Sequence, residues 1–217
     1  MIKPSTPRLA HWLAATALTA GAPLAMALGV SDAVGDYVPG YAAAGGSVLG
    51  DLDVVSSFVT YNAGSNLFTV SGTMAAAIGS TSTGFFVWGF NTGTGPIAPF
   101  AGVGAPNVKF NSVVILRPNG ASFAGAPANA ITPVISGNTI STTFSGNFLA
   151  STGFGKANYT WNLWPRDGAL AAGNGQISDF APDNAMAGVQ AVPEPASVAM
   201  LLLGLGVIAG AARRRRG

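Results

Sequence analysis

Residues 67–78 read LFTVSGTMAAAI and alternate between apolar and polar side chains. Phe68, Val70 and Met74 fall on one face of an extended chain, while polar residues such as Thr69 fall on the other. Successive side chains of a strand point to opposite faces of a sheet, so this period of two predicts a strand with one buried face and one solvated face.

Further stretches of strand length occur along the chain between clusters of Gly, Asn and Pro such as residues 91–96 and 118–120. They are residues 52–61, 84–90, 108–116, 139–148 and 158–163. About six or seven short strands with such turn signals predict an all-β fold, an antiparallel β-sandwich of jelly-roll, immunoglobulin-like or barrel-like type. Residues 28–187 have the size of one such domain, and residues 188–192 are expected to be a linker.

The charge distribution excludes a nucleic-acid-binding surface on this domain. The chain has 217 residues, of which only 8% are charged. Six of its ten basic residues are Lys3, Arg8 and residues 213–216, while four lie between residues 28 and 192 beside seven Asp, a net charge of −3 for that span. Nucleic-acid binding requires clustered Lys and Arg on the folded part.

The chain lacks the side chains of the commonest catalytic sites. It has no Cys and a single His, His11, which lies near the N-terminus. Disulfide scaffolds, thiolate metal sites, His-pair metal sites and the common nucleophile–base pairs are therefore excluded from residues 28–192. We expect a protein that is not an enzyme and has no cofactor.

Residues 1–27 have the pattern of a secretory signal peptide. Lys3 and Arg8 form a positive region, and residues 9–22 form an apolar region. The small residues Ala25 and Ala27 then form a cleavage site, with a cut after residue 22 as the alternative. The pattern predicts export through the Sec machinery.

The C-terminus combines three features in order. Pro193, Glu194 and Pro195 are followed by an uncharged apolar run over residues 196–212 and by four arginines, Arg213, Arg214, Arg215 and Arg216. As a helix, the apolar run would be about 25 Å long and would just cross a hydrocarbon core of about 30 Å. Because a basic cluster stays in the cytoplasm, the domain before it would lie outside the inner membrane.

This combination resembles the PEP-CTERM sorting signal over residues 193–217. The resemblance implies recognition by an exosortase, a membrane-embedded cysteine protease that cuts near the Pro-Glu-Pro motif. It also implies a transient inner-membrane anchor in a Gram-negative bacterium that makes exopolysaccharide, followed by release to the cell surface or extracellular matrix. The alternative is a plain tail anchor in which the two prolines are a rigid spacer.

Seven Asp lie in the exported part, and most occur in two groups that could bind Ca²⁺. The first group is Asp32, Asp36, Asp51 and Asp53, and the second is Asp179, Asp183 and Asn184. Carboxylate oxygens suit this cation, but the spacing matches no EF-hand. The alternative is that these are turn residues that bond to nearby backbone.

A glycan contact would require an exposed aromatic ring. Trp164 falls on the polar face of its predicted strand and is the candidate, while Trp88 and Trp161 are expected in the core.

Taken together, these features of the sequence predict an exosortase-processed surface or matrix protein with a structural or adhesive role in the exopolysaccharide or biofilm layer. The alternative is a glycan- or Ca²⁺-binding module at the cell surface.

Overall fold

The structure, a computed structural model, describes residues 29–192 together with residues 203 and 204, which are helical. The signal peptide with Ala25 and Ala27, the motif at residues 193–195 and the arginines at 213–216 lie outside the described residues. Within the part that is described, no helix is long and apolar enough to span a membrane.

Within residues 29–192, twelve strands form two six-stranded sheets. In chain order they are β1 (Val30–Ser31), β2 (Val54–Asn62), β3 (Leu67–Met74), β4 (Gly84–Asn91), β5 (Ser112–Leu116), β6 (Ser122–Ala124), β7 (Ala130–Ile131), β8 (Val134–Ser136), β9 (Thr139–Ser145), β10 (Thr160–Asp167), β11 (Ala187–Gly188) and β12 (Gln190–Ala191). The first sheet has the order β1-β2-β3-β9-β8, with β12 also paired to β2, and the second has the order β11-β10-β4-β5-β6-β7. The helical turns of residues 29–192 are short 3-10 turns, at Ala42–Ala44, Ala101–Val103, Gly146–Phe148, Lys156–Asn158 and Asn174–Gln176.

The prediction of an all-β fold with antiparallel sheets is confirmed, and each of the six predicted stretches overlaps a strand. Their ends differ where local hydrogen bonds compete with the sheet. For example, β9 ends at Ser145 because its hydroxyl accepts the Asn147 N–H and starts a 3-10 turn. The strands that the sequence did not predict have two or three residues, too few to show a period.

The main core lies between the two sheets and is built from the apolar faces of the long strands. Phe68 on β3 is buried, with its ring centroid 5.9 Å from that of Phe90 on the second sheet. On the same inner side, the Trp88 Nε1–H donates to the Ser57 hydroxyl at 3.2 Å, so the buried indole nitrogen is satisfied across the sheets. The predicted burial of Trp88 is confirmed.

The opposite face of the first sheet is lined by hydroxyl side chains. On paired β3 and β9, Thr69 Oγ1 lies 2.8 Å from Thr143 Oγ1, and Thr73 Oγ1 lies 3.0 Å from Thr139 Oγ1. The alternation that the sequence predicted for residues 67–74 is therefore present, with Phe68 inward and threonines outward.

Loops cover the outer face of the second sheet over β10 and β4, so that these two strands are buried on both sides. Residues 97 and 110 pair in an isolated bridge, and the loop that they close places Phe100 against β10. The segment after β10 crosses the same face, where Asn162 Nδ2 donates to the carbonyls of Pro182 and Ala185. This second layer of apolar packing lies outside the sandwich.

Both ends of the described domain pair with β2. β1 pairs antiparallel with Ser56 and Ser57, and β12 pairs parallel with Thr60 and Tyr61. The prediction of a linker at residues 188–192 is wrong, because this segment joins the sheets through short strands. The buried Val189 donates its N–H to the Tyr159 carbonyl at 2.9 Å.

Candidate functional site

Five aspartates converge at the N-terminal end of β2. Carboxylate oxygens of Asp32, Asp36 and Asp183 all lie within 4.8 Å of one another, and the same holds for Asp36, Asp53 and Asp179. The two predicted Asp groups therefore meet, with Asp36 shared between the two trios. The turn after β1, the residue before β2 and the segment after β10 supply the side chains.

The turn after β1 is held to the start of β2 by backbone hydrogen bonds. Asp32 N–H donates to the Val55 carbonyl at 2.9 Å, which continues the β1–β2 pairing by one residue. Gly35 has a positive φ of 85° and donates its N–H to Asp53 Oδ2 at 2.9 Å. A left-handed residue at this position lets the chain reverse, so that Asp36 returns toward Asp53.

The segment after β10 is pinned to the same place. Asp179 Oδ2 accepts the Val54 N–H at 2.8 Å, and its Oδ1 accepts the Phe180 N–H at 2.7 Å. The Ser178 carbonyl accepts the Val38 N–H at 2.8 Å, and the Ser178 hydroxyl donates to the Leu52 carbonyl at 2.7 Å. These hydrogen bonds hold the two halves of the site in register.

The inner part of the site is dry and the outer part is open. Asp53 is 2% exposed and Asp179 is 1% exposed, whereas Asp36 and Asp183 lie at the surface. Asp36, Asp179 and Asp183 line one side of a cleft of about 250 Å³. Two carboxylate oxygens of the site, Asp53 Oδ1 and Asp32 Oδ2, are buried, and neither accepts a hydrogen bond from any described residue.

Burial and mutual repulsion raise the pKa values of the inner carboxyls. Burial, with repulsion from neighbouring aspartates adding to it, raises the pKa of Asp179 to about 8 and that of Asp32 to about 7. Burial likewise raises the pKa of Asp53, with Asp36 adding to the effect against the Gly35 hydrogen bond. No basic side chain of the described domain offsets the negative neighbours of Asp32 and Asp179.

In the presence of a chelator, the thermal midpoint is expected to fall as the pH rises from about 4 to about 8. The folded state keeps protons on Asp32 and Asp179 that an unfolded chain loses near the ordinary pKa of 3.8. Each rise of one pH unit in this window therefore lowers the free energy of unfolding. Thermal unfolding between pH 5 and pH 8.5 measures the effect. Asp32→Asn should reduce the slope, and a midpoint that rises over this range in the unsubstituted protein would contradict the prediction.

The prediction that Asp51 is a Ca²⁺ ligand with the other aspartates is wrong. Its carboxylate accepts both the N–H and the hydroxyl of Thr81, the latter at 2.8 Å, and so fixes the turn before β4. Asp51 and Asp53 are two residues apart, but their side chains serve different contacts. The Oδ1 of Asn184 accepts the Asn107 N–H at 2.8 Å.

The prediction of an exposed ring at Trp164 is wrong. The side chain is 2% exposed, and its ring is in contact with those of Phe100 and Phe110, at centroid distances of 5.0 and 4.9 Å. A Cβ at Gly89 would clash with Trp164 Cη2, so the glycine provides the space for the indole. A glycine within the apolar stretch at residues 84–90 was the available sequence signal.

The face looked polar because Asn162 and Arg166 flank this tryptophan on the strand. Both are used internally: Asn162 bonds to the covering loop, and Arg166 Nη2 donates to the Gly173 carbonyl. The companion prediction, that Trp161 lies in the core, is confirmed by its 1% exposure.

The C-terminal end of the domain leads directly into the predicted sorting signal. The Val192 N–H donates to the Tyr61 carbonyl at 3.0 Å, and Pro193 is the next residue. Residues 191–216 match the model of the PEP-CTERM protein-sorting motif. No curated protein matches the chain.

A motif of this kind implies export, transient anchoring in a membrane and processing by an exosortase. The chain is therefore an exported, exosortase-sorted protein that carries a PEP-CTERM protein-sorting motif at residues 191–216.

Proposed function

We propose that the protein is a non-catalytic component of the cell surface or extracellular matrix, which an exosortase releases from the inner membrane of a Gram-negative bacterium. The observation that carries the proposal is the attachment of a sorting motif at residues 191–216 to the edge of a folded β-domain. The motif directs the sorting, and the β-domain is the part of the protein that is sorted.

The surface of the domain supports a structural or adhesive role in an exopolysaccharide or biofilm layer. The outer face of the first sheet presents paired threonine hydroxyls, such as those of Thr69 and Thr143, which can exchange hydrogen bonds with sugar hydroxyls. At the edge of that sheet, β8 is exposed along its whole length, with Val134 60% exposed. An exposed edge offers unpaired backbone groups to a second chain, which favours association in a matrix.

The side-chain inventory supports the non-catalytic part of the proposal. The chain has no Cys, and its one His precedes the described domain. Residues 29–192 therefore contain neither a thiolate nucleophile nor an imidazole base.

A second candidate function is that of a ligand-binding module at the surface. Its glycan version loses support with the burial of Trp164, the ring that was expected to stack on a sugar. Its Ca²⁺ version is favoured by the convergence of five carboxylates.

The proposal is tested by the intact mass of the protein from membrane and matrix fractions of the native host. We expect the matrix species to lack both ends, with cuts near Ala27 and near Glu194, and to carry any attached group as extra mass at the new C-terminus. A strain without the gene should retain less exopolysaccharide, and restoration should require the version with residues 193–217. A protein found only in membranes with its tail intact would refute release, and an unchanged matrix in the deletion strain would refute the structural role.

A further inference from the structure

The negative charge of the aspartate cluster is not neutralised by any basic side chain of the described domain. Its carboxylates come within 4.8 Å of one another in two trios that share Asp36. Three of the four basic side chains of residues 29–192 already donate hydrogen bonds elsewhere. Arg117 and Arg166 donate to the carbonyls of Ala121 and Gly173, and Lys156 donates to the amide oxygen of Asn66. Like charges at this separation destabilise the folded chain unless a counter-charge binds.

A second, independent observation points to a ligand. Asp53 is only 2% exposed. Its Oδ2 accepts the Gly35 N–H, but its Oδ1 has no hydrogen-bond donor among the described residues. A buried carboxylate oxygen without a partner loses its hydration and gains nothing in return. Asp32 Oδ2, in the other trio, is in the same position. Each trio therefore holds one buried oxygen with a free lone pair.

We propose that Asp32, Asp36, Asp53, Asp179 and Asp183 form a Ca²⁺ site centred on Asp36, which joins the turn after β1 to the segment after β10. The donors are all carboxylate oxygens, which suit hard cations and not Zn²⁺. With Ca–O distances of 2.3–2.6 Å, oxygens on opposite sides of the ion are about 4.6–5.2 Å apart, and the oxygens of each trio, all within 4.8 Å of one another, are close enough to share one ion. Mg²⁺ demands near-ideal octahedral geometry and usually keeps several of its waters, so a site built from five protein carboxylates suits it less than Ca²⁺.

The bound ion would act as a cross-link between the two ends of the domain. The N-terminal segment is held by only two paired residues of β1 and by a few backbone bonds, whereas Asp179 and Asp183 lie more than a hundred residues further along. A cation shared by the two segments restrains them as a covalent bridge would, in a chain that has no cysteine. Extracellular Ca²⁺ modules work at dissociation constants of about 10⁻⁴–10⁻³ M, so such a site would fill only after export. The inference does not depend on whether the tail is cleaved.

The test is thermal unfolding followed by tryptophan fluorescence, since Trp88, Trp161 and Trp164 are all buried. The protein is purified in mild detergent from expressing cells, with its tail in whatever state the cells leave it, and is compared in EGTA and in 10 mM CaCl₂ at pH 8. We expect Ca²⁺ to raise the midpoint by about 5–10 °C as the ion approaches a hundredfold excess over its dissociation constant. KCl at matched ionic strength controls for charge screening and should give a much smaller shift.

Two variants separate ion binding from packing. Asp36→Asn and Asp183→Asn change exposed side chains, so both should fold. In EGTA the midpoint of Asp36→Asn should exceed that of the unsubstituted protein because one repelling charge is gone, and its Ca²⁺ shift should be lost. Asp51→Asn is the matched control: it alters a nearby aspartate that bonds Thr81, so its midpoint can fall while its Ca²⁺ shift remains.

Three results would overturn the proposal. The first is a midpoint that is equal in Ca²⁺ and in EGTA. The second is a full Ca²⁺ shift that survives in both Asp36→Asn and Asp183→Asn, which would place the ion elsewhere. The third is a larger shift with MgCl₂ than with CaCl₂, which would contradict the assignment of the cation.

Discussion

Replacing Phe68 by Ala is expected to lower the free energy of unfolding by about 3–5 kcal/mol, the range for a large aromatic side chain in a core. Phe68 is fully buried on β3, where its ring touches those of Phe144 on the same sheet and of Phe90 and Tyr159 across the sandwich, all with centroids within 5.9 Å. Truncation would leave a cavity at the contact between the sheets. The thermal midpoint should fall by about 10 °C, measured by near-ultraviolet circular dichroism.

The neighbouring Leu67 provides the control for this substitution. It lies on the same strand with its side chain on the opposite face and is 37% exposed. Leu67→Ala should therefore cost less than about 1 kcal/mol, since little apolar area leaves the interior. Equal losses for the two variants would show that the sandwich does not bury the face of β3 that the structure assigns to it.

Substituting Ala for Pro193, Glu194 and Pro195 together is expected to abolish release of the domain into the matrix. Glu194 is the only glutamate of the chain and gives the motif a single charge, while the flanking prolines keep the backbone extended and out of a helix. A protease that recognises an extended segment outside the membrane loses all three features at once. The variant should accumulate in the membrane fraction with its C-terminal tail intact, as intact mass would show.

Two further variants show which feature of the motif matters. Glu194→Gln keeps the shape and removes the charge, so an intermediate loss of processing would assign part of the recognition to the carboxylate. Ser197→Ala changes a residue just after the Pro-Glu-Pro tripeptide and should be processed normally. Normal release of the triple-alanine variant would refute a role for the motif in cleavage.

The local pattern of the sequence determined the fold class and the address. The alternation at residues 67–74 and 139–145 predicts β3 and β9 because the face of a residue in a strand depends only on its parity along the chain. The sorting motif was equally readable, because its features lie side by side over residues 193–217 and need no tertiary contact to be recognised.

The short strands could not be predicted. β1 and β12 have two residues each, and they exist because β2 offers them a free edge. A dipeptide shows no period, so the same residues are indistinguishable from a linker in the sequence. The second apolar layer was missed for a related reason: Trp164 is covered by loops, and the sequence does not show which loop crosses which face.

The candidate site shows the same division. The sequence supplied two groups of aspartates with the chemistry for Ca²⁺, and it placed Asp51 beside Asp53. Only the tertiary structure brought Asp36 to Asp179 and sent Asp51 to Thr81 instead. Proximity along the chain determines the secondary structure of a segment, whereas the meeting of distant carboxylates depends on the pairing of strands and the path of loops, which are set by the folded chain as a whole.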